Sequence, residues 1–192
     1  MRKILITGNR EKDLCASLVP LLEKSGDTCT CVSRATGYDF EKDDGAIGKV
    51  VKLAESHDIF INMYANFFFK QSLLTQKVYA SWLAQGASKK RLITVGSTTD
   101  RVRRGKTNLY HYEKLALREI SAGLSLVGVW ENGPKLTHIS YGTLANRSDN
   151  NPGRDCLDMD AAAGYLYWIL QQPAHININE ISIDPIQQPK RV

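Results

Sequence analysis

Short apolar runs alternate along the chain with repeats at helical spacing, and that alternation leaves few folds open. Ile4-Leu5-Ile6 reads as a buried strand ending at Thr7-Gly8. Leu14, Leu18, Leu21 and Leu22 then recur at helical spacing until Gly26. Thr28 to Val32 predicts a second strand, and Tyr38-Asp39-Phe40 a very short third one. Ile47, Val50, Val51 and Ala54 mark a helix, and Ile59-Phe60-Ile61 a fourth strand. The pattern continues with a helix over 71–84, a strand at Leu92-Ile93-Thr94-Val95 and a helix over 109–121. Leu126-Val127-Gly128-Val129 predicts a sixth strand, 146–156 a loop, 159–171 a helix and 176–183 a last strand. The expected fold class is α/β: a doubly wound parallel sheet in a three-layer α/β/α arrangement, as a single domain over 1–192. Ligands of such sheets bind beyond the carboxyl ends of the strands. Attention therefore falls on Thr7 to Arg10, Ser33-Arg34, Asn62 to Asn66, Ser97, and Glu131 to Thr137.

Composition excludes several other classes. With 192 residues, 43% of them hydrophobic, the chain suits one core, and 23% charged residues do not suggest disorder. No apolar run approaches the roughly 20 residues of a membrane helix. Ile4-Leu5-Ile6 is too short for the core of a secretion signal. Cys15, Cys29, Cys31 and Cys156 form no CxxC pair and no metal-ligand spacing. No metal is expected, and a reducing cytoplasm is. The net charge of +5 is a mild excess, without the aromatic-interleaved basic surface of a nucleic-acid binder.

The sharpest local signal is Tyr110-His111-Tyr112-Glu113-Lys114. Tyrosine and lysine four apart share one helix face. A neighbouring ammonium favours the phenolate, which brings a tyrosine toward acid/base work near neutral pH. Taken alone, the same spacing also describes an ordinary amphipathic helix with a solvated lysine. Ser97 lies thirteen residues earlier, directly after a predicted strand, where a hydroxyl can bond a substrate carbonyl or the alkoxide developing on it. His111 faces another side of the helix. Phe67-Phe68-Phe69 reads as core, with pocket wall or dimer contact as alternatives, and Trp82, Trp130 and Trp168 are read as packing.

In these residues, taken in order, the chain resembles the short-chain dehydrogenase/reductase family, which has a Rossmann-like fold. Ile6-Thr7-Gly8 is similar to the TG after the family's first strand. Asp58-Ile59-Phe60-Ile61-Asn62 resembles the approach to its NNAG motif, and Gly133-Pro134-Lys135-Leu136-Thr137 its PGxxxT. Ser97, Tyr110 and Lys114 match its Ser/Tyr/Lys set. The resemblance implies Tyr110 as general acid, Lys114 lowering its pKa and holding the nicotinamide ribose, and Ser97 orienting the carbonyl. It implies a proton-relay asparagine at Asn66, with Asn62 as competitor. Cofactor contacts would come from Thr7, Gly8, Asn9, Arg10, Ser33, Arg34, Asp39, Phe40, Asn62, Lys114, Gly133 and Thr137. It further implies a homodimer or homotetramer paired through the helices over 71–84 and 109–121.

The chain departs from the family's TGxxxGxG loop, because Lys12 and Leu14 stand where the later glycines belong. Either the loop binds phosphate by another path, through Asn9, Arg10 or Lys12, or dinucleotide binding is weakened. Ser33-Arg34 replaces the acidic residue that commonly holds an NAD ribose, and a guanidinium suits a 2′-phosphate. NADP(H) is expected over NAD(H). Arg101, Arg103, Arg104 and Lys106 lie in the loop before the Tyr110 helix, where they would either attract an anionic small-molecule substrate or remain solvated. Two functions stay open: an NADP(H)-dependent carbonyl reductase or alcohol dehydrogenase, and a non-catalytic, dehydrogenase-like nucleotide sensor or protein-interaction module.

Overall fold

A computed structural model describes residues 1–43, 45–64, 68–101, 108–147 and 155–186. Six strands form one parallel sheet: β1 (Lys3–Thr7), β2 (Thr28–Val32), β3 (Ile59–Asn62), β4 (Arg91–Ser97), β5 (Lys135–Tyr141) and β6 (Glu180–Ile183). Their order across the sheet is β2-β1-β3-β4-β5-β6. Five α-helices connect them: α1 (Asp13–Lys24), α2 (Ala46–Ala54), α3 (Lys70–Ala84), α4 (Leu109–Trp130) and α5 (Met159–Leu170). The chain leaves β1 toward one edge and returns to β3 on its other side. The doubly wound sheet therefore has its switch point between β1 and β3.

Side-chain alternation splits the core into two layers. Ile4, Ile6, Ile59, Ile61, Ile93 and Val95 point to one face, under α1 and α5. Leu5, Phe60, Leu92 and Leu136 point to the other, under α2 and α3. Ile4, Leu5 and Ile6 are fully buried, as expected of a strand covered on both faces. Trp82 is also fully buried, and its Nε1 donates to Ala54 O at 3.0 Å, which fastens α3 to α2.

Two predicted strands are not strands. Tyr38-Asp39-Phe40 is a loop: Phe40 turns into the core against Tyr64, at 4.6 Å between ring centroids, and β2 remains the sheet edge. Leu126-Val127-Gly128-Val129 is the end of α4, and the strand expected there is β5, at 135–141. The helical period was hidden because Ser121 and Ser125 occupy buried positions on α4. Each is satisfied by a polar neighbour: Ser121 Oγ meets Thr94 Oγ1 at 3.0 Å, and Ser125 Oγ donates to Asn179 Oδ1 at 2.8 Å. Packing expectations also fail in part. Phe68, Phe69, Trp130 and Trp168 are exposed, and Phe67 lies outside the described residues.

Candidate active site

A cleft of about 550 Å³ opens at the carboxyl ends of β1, β4 and β5. Its walls carry Thr7, Gly8 and Asn9 after β1, Ser97 at the end of β4, and Tyr110 and Lys114 on α4. Asn108 caps α4, its Oδ1 accepting from Tyr110 N–H at 2.9 Å, and so starts the helix directly before the tyrosine. The helical repeat then stacks Lys114 one turn further on, with Nζ 5.4 Å from the Tyr110 ring centroid. Ser97, Tyr110 and Lys114, separate in sequence, share this cleft.

Lys114 is almost completely buried. Its Nζ donates to Gln71 Oε1 at 2.6 Å and lies 3.5 Å from Val95 O. Burial pushes its pKa down to about 8, and the nearby carboxylates of Glu113 and Asp100 only partly offset this. Burial also raises the Glu113 carboxyl, against the pull of the Phe69 N–H, which donates to its Oε1, and of Lys114. That bond ties α4 to the left-handed turn at Phe68 and Phe69, with φ of 80° and 56°, which leads into α3.

Gln71 was not singled out from sequence. Besides accepting from Lys114, its Nε2 donates to Asn62 O and Val95 O, both at 2.9 Å. Asn62 is fully buried and continues the network. Its Nδ2 donates to Gln71 O and Thr75 Oγ1, and its Oδ1 accepts from Thr7 Oγ1 at 3.1 Å. Asn62 and the Thr7 hydroxyl therefore tie β3, β1 and α3 together behind the cleft, and Asn62 offers no free amide to a cofactor. Behind Ser97, the Asp100 carboxylate accepts from Ser140 Oγ at 2.5 Å and meets His138 Nε2 at 3.3 Å. The His138 ring packs on Gly96, where a Cβ would come within 2.6 Å of it. His111 Nδ1 meets Thr99 O at 2.8 Å, which fixes the turn after Ser97 to α4.

The other expected site residues scatter. Arg34 is exposed in a short 3-10 turn beyond β2, and the Ser33 N–H before it donates to Thr36 Oγ1 at 2.8 Å. Arg10 is ion-paired with Glu23 on α1, and Arg101 with Asp184. Asp39 Oδ1 accepts from the N–H groups of Glu41 and Lys42, and Phe40 is core; neither lines the cleft. Gly133 and Thr137 lie away from it, because α4 runs on to Trp130 and moves this segment to the start and middle of β5. The residues that follow the strand are Gly142 and Thr143, and these border the cleft together with Asn146. The alternation within Lys135–Tyr141 was the signal that could have found them, but buried Thr137, His138 and Ser140 obscure it. Asn66, Arg103, Arg104 and Lys106 lie outside the described residues.

The parallel sheet, its switch point and the cleft define a class, the Rossmann-like three-layer α/β/α fold, and solved short-chain dehydrogenases share it. The closed form of a serine dehydrogenase complexed with NADP+ superposes with a TM-score of 0.74 at 15% identity, over 99% of this chain and 97% of that one. A 4-hydroxyisoleucine dehydrogenase complexed with NADH gives 0.73 at 14% identity, over 96% and 97%. The serine dehydrogenase of Escherichia coli gives 0.69 at 16% identity, over 94% and 96%. In sequence, a 94-residue stretch is 32% identical to the serine 3-dehydrogenase of Agrobacterium fabrum (strain C58 / ATCC 33970), covering 42% of this chain and 37% of the relative. No family model matches the chain. Among the described residues, no helix is long and apolar enough to cross a membrane, and no His/Cys/Asp/Glu group is arranged to hold a metal ion.

Proposed function

We propose that the chain is a dinucleotide-dependent oxidoreductase that reduces a carbonyl or oxidises an alcohol on a small, anionic substrate. The observation that carries this reading is the convergence of Ser97, Tyr110 and the buried Lys114 on one cleft beyond the strand ends. The residues fit the nicotinamide half of a dinucleotide. Gly8 has no room for a Cβ because Cys15 Sγ packs on it, so bare backbone faces the cleft after β1. Lys114 Nζ, beneath the Tyr110 ring, would hold the ribose of that half. When bound, a nicotinamide group supplies hydride chemistry.

Tyr110 gives a proton to the carbonyl oxygen, or takes one from the alcohol. The Lys114 ammonium stabilises the phenolate left on Tyr110. Ser97 Oγ donates to the same substrate oxygen and orients it. Gln71 holds Lys114 Nζ in place, and the proton-relay asparagine stays assigned to Asn66. Arg34 is the residue we assign to a 2′-phosphate, giving NADP(H) preference, and Arg103 and Arg104 are those we assign to the substrate's anionic end. The NADP+-bound neighbour supports the cofactor class, while the NADH-bound one leaves the preference to Arg34.

Titration of intrinsic fluorescence with NADPH and NADH tests the reading, followed by a carbonyl screen that monitors NADPH oxidation. NADPH binding at least about tenfold tighter than NADH is expected, with turnover on an anionic carbonyl. Equal affinities would remove the role of Arg34, and binding without turnover would favour a nucleotide sensor. That second reading draws on the altered loop at Lys12, Asp13 and Leu14.

A further inference from the structure

Where the loop after β1 enters α1, the chain has neither expected glycine. Lys12 is the N-cap and provides no side-chain cap, so no side chain of the cap residue satisfies the first N–H groups of α1. The next residue, Asp13, opens the helix with φ +51°, a left-handed value that aspartate tolerates better than most residues. Its carboxylate lies in the first turn, at the positive end of the helix dipole. Asn146 reaches across from the segment after β5, and its Nδ2 donates to Asp13 Oδ1 at 2.6 Å. Both residues line the cleft that also holds Tyr110 and Lys114. The Asp13–Asn146 bond thus joins two segments of the cleft wall, the one after β1 and the one after β5.

A helix N-terminus that faces such a cleft attracts an anion through its free N–H groups and its dipole. Here the chain places an anion of its own there. A pyrophosphate approaching this end meets a like charge held in place by Asn146. Lys12 opposes that repulsion from the neighbouring position, also on the cleft wall. Among the described residues that line the cleft, no carboxylate stands beside Lys114 at the nicotinamide end.

We propose that Asp13 is the residue that sets how tightly this cleft takes a pyrophosphate-bearing cofactor: its carboxylate, clasped to Asn146, stands at the anion-binding end of α1 and must be displaced on binding. This rests on the dinucleotide reading above. It makes the missing glycines a tuned attenuation of cofactor affinity, with the nicotinamide half of the site left whole.

The test is calorimetric titration of the full chain and of two variants with NADPH, at one fixed low salt concentration, with 2′-AMP as a ligand that lacks the pyrophosphate. Asp13→Asn removes the charge and keeps both the backbone preference and a side chain that can pair with Asn146. Asn146→Ala keeps the charge and cuts the clasp. NADPH is expected to bind Asp13→Asn about tenfold more tightly than wild type. Asn146→Ala is expected to give a smaller gain, about threefold, because the freed carboxylate can swing away. 2′-AMP affinity is expected to stay unchanged in both. NADPH affinity unchanged in Asp13→Asn overturns this proposal and leaves the dinucleotide reading intact. An equal gain for NADPH and 2′-AMP also overturns it, since net charge alone would then explain the effect. Absence of NADPH and NADH binding in wild type and both variants overturns it together with the dinucleotide reading. Circular-dichroism melts of the variants confirm that the compared proteins are folded.

Discussion

Lys114 Nζ donates to Gln71 Oε1 at 2.6 Å in the protein interior, so the lysine beneath Tyr110 is held by a neutral amide and, among the described residues, has no ion-pair partner bonded to it. An ammonium placed this way keeps its charge available to the phenol. The arrangement depends on Gln71 being anchored from its other side, by the carbonyls of Asn62 and Val95. Gln71→Leu removes all three bonds and leaves a buried cation whose remaining partner among the described residues is Val95 O, at 3.5 Å. A stability loss of roughly 2–4 kcal/mol is expected, read from urea melts. A loss under about 0.5 kcal/mol, the range of an ordinary surface change, would mean that water replaces the amide without cost.

The depressed Lys114 pKa has a definite sign in stability. The folded state releases this proton at about 8, whereas an ordinary lysine holds it to 10.5. Between those values the unfolded chain binds the proton and the folded one does not, so stability rises with pH across that window. Below about 8 the folded state bears the full cost of burying the charge. Against Lys114→Met as reference, wild type should gain roughly 2–3 kcal/mol in unfolding free energy from pH 7.5 to pH 10. Parallel curves for the two proteins would place the titration of Lys114 outside this range.

Tyr110→Phe keeps the ring over Lys114 and removes the acidic hydroxyl. On any substrate turned over by wild type, kcat should fall by about 100- to 10,000-fold, the usual worth of a positioned general acid. Fluorescence titration should give the NADPH affinity of wild type. Retained turnover would transfer the acid role to another group in the cleft.

Gly128 shows how tightly the end of α4 meets the start of β5. A Cβ there would lie 2.5 Å from Pro134 O, a backbone atom with no freedom to turn aside. Helix propensity favours alanine over glycine by about 1 kcal/mol, yet the clash should outweigh it. Gly128→Ala is expected to lower stability by about 1–3 kcal/mol in thermal or urea melts. A stabilised variant would show that the helix end can move off the sheet.

What the sequence disclosed follows chemical type. Ile4-Leu5-Ile6 and Ile59-Phe60-Ile61 are apolar on both faces, Leu92 to Val95 is interrupted only by Thr94, and they form most of β1, β3 and β4. Tyr110 and Lys114 were legible because a four-residue spacing on a helix fixes their relation. The errors cluster where buried positions carry polar side chains. Ser121 and Ser125 break the apolar stripe of α4, and Thr137, His138 and Ser140 do the same to β5. Ser121, Ser125, His138 and Ser140 bond to side chains distant in sequence, such as Thr94 for Ser121, and no local window contains both partners. Misplacing β5 moved the residues after it, so Gly133 and Thr137 were assigned where Gly142, Thr143 and Asn146 stand. Gln71 escaped for the same reason: at the start of an amphipathic helix it looks like a solvated residue, and only the fold brings Lys114 to it.

The strand order places β2 and β6 at the two margins of the sheet, each hydrogen-bonded to one neighbour, while β1, β3, β4 and β5 are bonded on both sides. Local opening begins where backbone bonds are fewest. The marginal strands should therefore exchange their amide hydrogens first. The strands that end at the cleft, among them β4 with Ser97, should exchange only near global unfolding. Fraying at the margins then leaves the cleft assembled, and its geometry should be as durable as the whole fold.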